Sequence, residues 1–226
     1  TGKDSCSMTA YVLKKDLPVG LDLLKDVLTN PTFPKEELEV LRPQLTGGIR
    51  QNFDSPSSLA SSHSKYLMFG ESNPYGFSPS ERSYASITVE DLKKQYGHII
   101  RPNNAYLLVA GDIKHDEILR KIKMAFGSWE KGPALAAPTT KAIKSTRRVR
   151  LVDKPDLTQS TISVIHPGIK RSNPDYHTIK LMNYVLGGGG FSSRLMKTIR
   201  AEGGKTYGVY SSFKSYRQTG LFRVGV

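Results

Sequence analysis

Four consecutive glycines, Gly187-Gly-Gly-Gly190, constrain this chain more than any other feature. Glycine gives up more backbone freedom on ordering than any other residue and weakens helix and strand interiors. The run therefore reads as a loop, closed by Phe191, that opens a helix from Ser192 to about Arg200. Gly203-Gly204 stops that helix, and Tyr207 enters the strand Tyr207-Gly-Val-Tyr-Ser-Ser-Phe213. Arg200 and Tyr207 are seven residues apart, about two helical turns. The intervening glycines make the segment helix, stop, strand rather than one helical face. It is expected to bring a fork-shaped cation and a phenol together beside a strand. Such a pair suits gripping a peptide backbone or a developing oxyanion.

The rest of the chain reads as short strands and amphipathic helices. Strands are expected at Met8–Leu13, Ala105–Ala110, Arg148–Val152, Gln159–His166 and the alternating run Leu221–Val226. Helices are expected at Asp16–Thr29, from Pro34 onward, at Ser57–Phe69, from Thr88 to about Tyr96, at Asp116–Phe126 and at Pro174–Leu186. Leu17, Leu21, Leu24 and Leu28 fall on one face of the first. In the second, Pro34 and Glu36-Glu37 suit a helix start, while Pro43 and Gly47-Gly48 weaken its interior. Thr88-Val-Glu-Asp91 resembles a capping box with Asp in place of Glu or Gln. Strands and helices are segregated rather than strictly alternating, so the fold class is α+β with mainly antiparallel sheets packed against helices. The Pro/Ala/Thr/Lys-rich stretch 132–147 reads as a linker between an αβ domain at 1–131 and a second at 148–226. Thr1–Cys6 has neither an initiating Met nor an apolar leader core, and a strand closes the chain at Val226. Both ends are thus expected to lie inside a larger fold.

Together with His166-Pro-Gly168 and Asn183-Tyr-Val-Leu-Gly187, the Gly187–Tyr207 stretch resembles the C-terminal domain of the insulinase/pitrilysin family of zinc peptidases. The resemblance covers nearly the whole chain and implies two related αβ domains joined by a linker. Members include the mitochondrial processing peptidase and the core proteins of the respiratory bc1 complex. In the family, zinc sits on His-x-x-Glu-His, with a further Glu from a later helix. His63, His98, His115, His166 and His177 contain no pair at that spacing. Glu36–Pro56 matches the helix that carries the distal Glu, but Gly48 stands where active members have it and Leu41 where they have a supporting Glu. Neither side chain can ligate zinc. Glu39 and Asp54 are the nearby acids, neither at the expected place.

The resemblance therefore implies a divided site. Arg200 and Tyr207 are present as catalytic groups that would act on a partner's active site, with Arg200 also gripping substrate. Gly188, Gly189, Gly190 and Phe191 are substrate-binding candidates, as a sensing loop like that of the processing peptidase's non-catalytic subunit. A tight turn requiring positive φ is the competing reading; a phosphate loop is discounted because no GKS or GKT follows the run at phosphate-loop spacing, the downstream Gly204-Lys-Thr206 having Ile199 where that motif needs its first glycine. No metal or cofactor is expected on this chain, and zinc is expected in a homologous partner subunit. The implied function is a peptidase-family subunit that binds unfolded peptide by strand addition and supplies Arg/Tyr to a zinc-bearing partner in a heterodimer. An active zinc peptidase with its motif upstream, and a structural subunit like the core proteins, remain alternatives. The bacterial-looking relatives imply a periplasmic or envelope setting.

Composition narrows the other classes. No 18-residue apolar run is present, so no membrane span is expected. Cys6 is the one cysteine, which excludes an internal disulfide; it reads as a small buried hydrophobe. A net charge of +13 suggests an acidic partner or a solvated basic surface. Its densest cluster, Lys141–Arg150, falls in the expected linker, and no aromatic-basic interleaving points to nucleic acid.

Overall fold

The computed structural model describes residues 2–136 and 146–226. It divides into two compact units that interleave along the chain: Thr1–Ser5, Gly47–Ser80 and Thr139–Val226 form one, and Cys6–Thr46 with Glu81–Pro138 the other. Residues 137–145 of the expected linker, including Lys141 and Lys144, lie outside the described residues. Where that stretch begins, Asn103 exchanges hydrogen bonds with the backbone of Gly132 at 2.9 and 3.2 Å, and Arg101 donates to Pro133 O at 3.0 Å.

The helices are α1 (Leu17–Thr29), α2 (Lys35–Asp54), α3 (Pro56–Phe69), α4 (Glu81–Ala85), α5 (Val89–Ile99), α6 (His115–Phe126) and α7 (Tyr176–Asn183). Their starts follow local chemistry. Ser55 caps α3 by accepting from Ser58 N, and Pro56 occupies the first turn, where a missing N–H costs nothing. Thr88 and Asp91 form the expected capping box on α5, with Asp91 N donating to Thr88 Oγ1 and Thr88 N to Asp91 Oδ2. Pro43 and Gly47-Gly48 do not interrupt α2. Beside Pro43, Arg42 binds Glu39 and donates to the carbonyls of Tyr84, Ala85 and Ile87, closing the C-terminus of α4. In the same unit, Tyr96 of α5 donates to Val27 O of α1 at 2.8 Å and meets the Phe33 ring edge-on.

The sheet belongs to the other unit. It is antiparallel, ordered β1 (Ser163–Pro167), β3 (Gly220–Gly225), β2 (Tyr210–Ser215). Val164↔Val224↔Ser211 and His166↔Phe222↔Phe213 share one face; Ile165↔Arg223↔Ser212 and Leu221↔Lys214 share the other. α7 covers the first face through Asn183 and Ser211. α3 covers the second, where Ser64 Oγ donates to Ser163 Oγ at 3.0 Å. Asp4 ties the amino-terminal segment into this unit, accepting from Tyr75 Oη at 2.6 Å and from Arg217 N at 3.0 Å.

Three expected strands form no ladder among the described residues: Met8–Leu13, Ala105–Ala110 and Arg148–Val152. All three are exposed along their length, and in the latter two alternate side chains are the barest: Tyr106 and Leu108 are 95% and 88% exposed, and Val149 and Leu151 93% and 91%. An alternating pattern specifies the pleat, but a strand also needs a neighbour for its N–H and C=O groups. Cys6 is exposed rather than buried.

Candidate functional site

The glycine run is a continuation of helix rather than a loop. After α7 the chain goes on as a π-helical turn, Tyr184–Gly188, closed by Gly189 N donating to Tyr184 O at 2.9 Å. A one-turn 3-10 helix, Gly190–Ser192, follows, and then a second π-helical stretch, Met196–Glu202. Such wide turns occur mostly as short insertions, frequently at functional sites. Close packing explains Gly187: a Cβ there would stand 2.6 Å from both Ser211 N and Ser211 Oγ. Gly190, at φ 62°, is the only member of the run in the left-handed region, so the expected positive-φ turn exists at that single residue. Ser193, 1% exposed, locks the turn by donating from Oγ to Gly190 O at 2.7 Å.

Arg200 lies in the second π-helical stretch and is half-buried. Its guanidinium carbon is 4.6 Å from the centre of the Phe191 ring and 4.6 Å from that of Tyr207. The two rings are themselves 76% and 87% exposed. Phe191, Arg200 and Tyr207 thus form one surface cluster, as the sequence pattern anticipated for the arginine and the tyrosine. Tyr207 does not enter a strand; it sits in a bend three residues before Tyr210, where β2 starts. Gly204, at φ 58°, makes the reversal that sends the chain from Arg200 back to Tyr207. Aromatic rings this close attract a guanidinium through their faces and restrict where it can point, while its five N–H donors still seek acceptors. The cluster can therefore offer a carbonyl or carboxylate a pre-oriented fork, with a phenol beside it.

The residues reached through the distal-Glu helix do not make a metal site. Leu41 and Gly48 carry no donor atom, and Glu39 is held by Arg42 at 3.1 Å, which keeps its carboxyl below the usual range. Asp54 lies 4.0 Å from Lys154 Nζ. Among the described residues, no three His, Cys, Asp or Glu side chains gather closely enough to hold a metal ion. Burial, and then the charge of Arg150, hold His63 below its usual pKa, and His166 Nδ1 lies 2.6 Å from Pro167 O. No helix among the described residues is long and apolar enough to cross a membrane.

The architecture is that of an α+β module, helices packed with a small antiparallel sheet. The solved peptidase M16 inactive domain from Pseudomonas fluorescens is similar, with 28% identity and a TM-score of 0.79 over 94% of this chain and 51% of that one. Residues 86–226 match the family described as peptidase M16 inactive domain, and the chain belongs to that family. An uncharacterised zinc protease of Streptomyces coelicolor is 27% identical over 99% of this chain and 50% of its own length. A non-peptidase homologue of Helicobacter pylori is 28% identical over 93% of this chain and 48% of its own. The chain thus spans about half the length of the curated relatives it matches.

Proposed function

We propose that this chain is the non-catalytic, peptide-binding half of an M16-type peptidase, completing the active site of a zinc-bearing homologous subunit. The observation that carries the reading is the packing of the Arg200 guanidinium against the rings of both Phe191 and Tyr207, each at 4.6 Å. A guanidinium confined by two exposed rings is pre-oriented for a substrate carbonyl or terminal carboxylate. The Tyr207 hydroxyl would donate to the oxyanion that forms as the peptide carbonyl is attacked. β2 is an outer strand of the sheet and begins three residues after Tyr207, so an extended peptide added along that strand would pass near the pair. Zinc would come from the partner, because Leu41 and Gly48 offer no ligands here. Gly188–Gly190 would set the backbone that carries Phe191 rather than contact substrate through side chains.

The test mixes the full-length protein with its zinc-motif homologue and follows cleavage of a quenched fluorescent peptide. Arg200→Ala and Tyr207→Phe are each expected to lower kcat/KM by about 10²-fold, the scale of losing an oxyanion donor. A homologue that cleaves equally well alone, or variants that cleave like the parent, would make the chain a structural subunit of the core-protein kind. Cleavage by the full-length protein alone would make it an active zinc peptidase.

A further inference from the structure

The sheet face under α3 gathers cations: the charges that act on Lys65 there are those of Lys214, Lys3 and Arg223. Arg223, on the central strand, lies opposite Ser212 and Ile165, and Lys214 stands one pair along on the same face. Diagonal positions of this kind on an antiparallel pair are about 7–8 Å apart. The Ser64–Ser163 hydrogen bond sets α3 over this face, and Lys65 follows Ser64. Lys65 is half-buried. Its ammonium is held below its usual pKa by burial first, then by Lys214, Lys3 and Arg223. Lys3 is itself anchored, donating from Nζ to Phe77 O at 3.0 Å. The Arg223 guanidinium lies beside the Tyr210 ring, at 5.7 Å, yet its Nε is buried with no hydrogen-bond partner among the described residues. A buried N–H with nothing to accept it is uncommon in folded proteins, and a charged one more so. All four cations lie in the same compact unit.

We propose that Lys3, Lys65, Lys214 and Arg223 form a binding site for an oxyanion, a phosphate or a carboxylate. The unpartnered Nε and its neighbouring Nη make the fork that such oxygens accept from, and the three ammonium groups supply point charges around it. An anion here would satisfy the orphaned donor and relieve the repulsion on Lys65 together. The site shares no residue with the Arg200 cluster and does not depend on its role.

The test is isothermal titration calorimetry of the full-length protein with inorganic phosphate and, separately, with acetate, at constant ionic strength. Saturable phosphate binding is expected to weaken about tenfold or more in Lys65→Gln and Arg223→Gln, as a charge-assisted hydrogen bond is lost. Lys154→Gln, outside the cluster, should leave it unchanged. Saturation by acetate but not phosphate, with the same losses, assigns the site to carboxylates. Arg223 is on the central strand, where a variant risks the fold, so the exposed Lys214→Gln repeats the test on an outer strand. Absence of saturable binding for both anions, or binding indifferent to these variants, overturns the proposal.

Discussion

Asn183 and Ser211 hold each other twice: Ser211 Oγ donates to Asn183 Oδ1 at 2.8 Å, and Asn183 Nδ2 donates to Ser211 O at 3.2 Å. This clamp draws the end of α7 onto β2 so closely that position 187 has no room for a side chain. Gly187→Ala would place a methyl 2.6 Å from backbone at Ser211 and 2.8 Å from Leu195 Cδ1. Urea denaturation should show a loss of about 1–3 kcal/mol, the usual cost of overpacking.

Gly48 presents the opposite case. It lies within α2, and a Cβ there would meet nothing within 4 Å. Gly48→Ala should therefore stabilise the protein by roughly 0.5–1 kcal/mol through helix propensity, read as a higher melting temperature.

Arg42 serves three carbonyls at the end of α4. Arg42→Ala leaves them to water and frees the segment from Glu81 to Ile87. A loss of about 1–3 kcal/mol is expected, with faster limited proteolysis within that segment. Arg42→Lys should recover only part of this, since one ammonium cannot span the same fork.

Tyr75 gives a pH dependence of definite sign. Burial and its hydrogen bond to Asp4 push its phenol up to about 12. The unfolded phenol ionises near 10, so the unfolded chain gives up this proton first. The contribution to stability is complete below about pH 10 and is lost as pH rises through about 12. Denaturation midpoints between those values should fall more steeply for the parent than for Tyr75→Phe. Absorbance at alkaline pH should show one fewer late-titrating tyrosine in the variant.

In the reconstituted peptidase, Arg200→Lys should behave nearly like Arg200→Ala. An ammonium is not planar and cannot both pack against the rings of Phe191 and Tyr207 and present a fork. Circular dichroism should be unchanged, because both rings are already largely in solvent. Activity retained in the lysine variant would mean that charge alone suffices.

Features set by a few neighbouring residues were legible in the sequence. The Thr88–Asp91 box and the strands near His166 and Leu221 all depend on local chemistry or on alternation over a few positions. The proximity of Arg200 and Tyr207 was legible for the same reason, since Gly203-Gly204 enforces a reversal between them. What needed the third dimension was not. Four glycines read as a loop, yet the approach of Ser211 keeps them in helical turns. Phe191 as the second ring on Arg200 required the 3-10 turn at Gly190. The unpartnered Nε of Arg223 depends on strand register and on which helix lies above it.

The bare alternation at Ala105–Ala110 and Arg148–Val152 has a colloidal consequence. An exposed row of backbone donors and acceptors beside Tyr106, Leu108, Val149 and Leu151 can template a ladder with another copy of the chain. At low salt, the net charge of +13 keeps such copies apart. Screening shrinks that protection to about 8 Å at physiological ionic strength. Turbidity should therefore rise with added salt, reversing the usual remedy for a strongly basic protein.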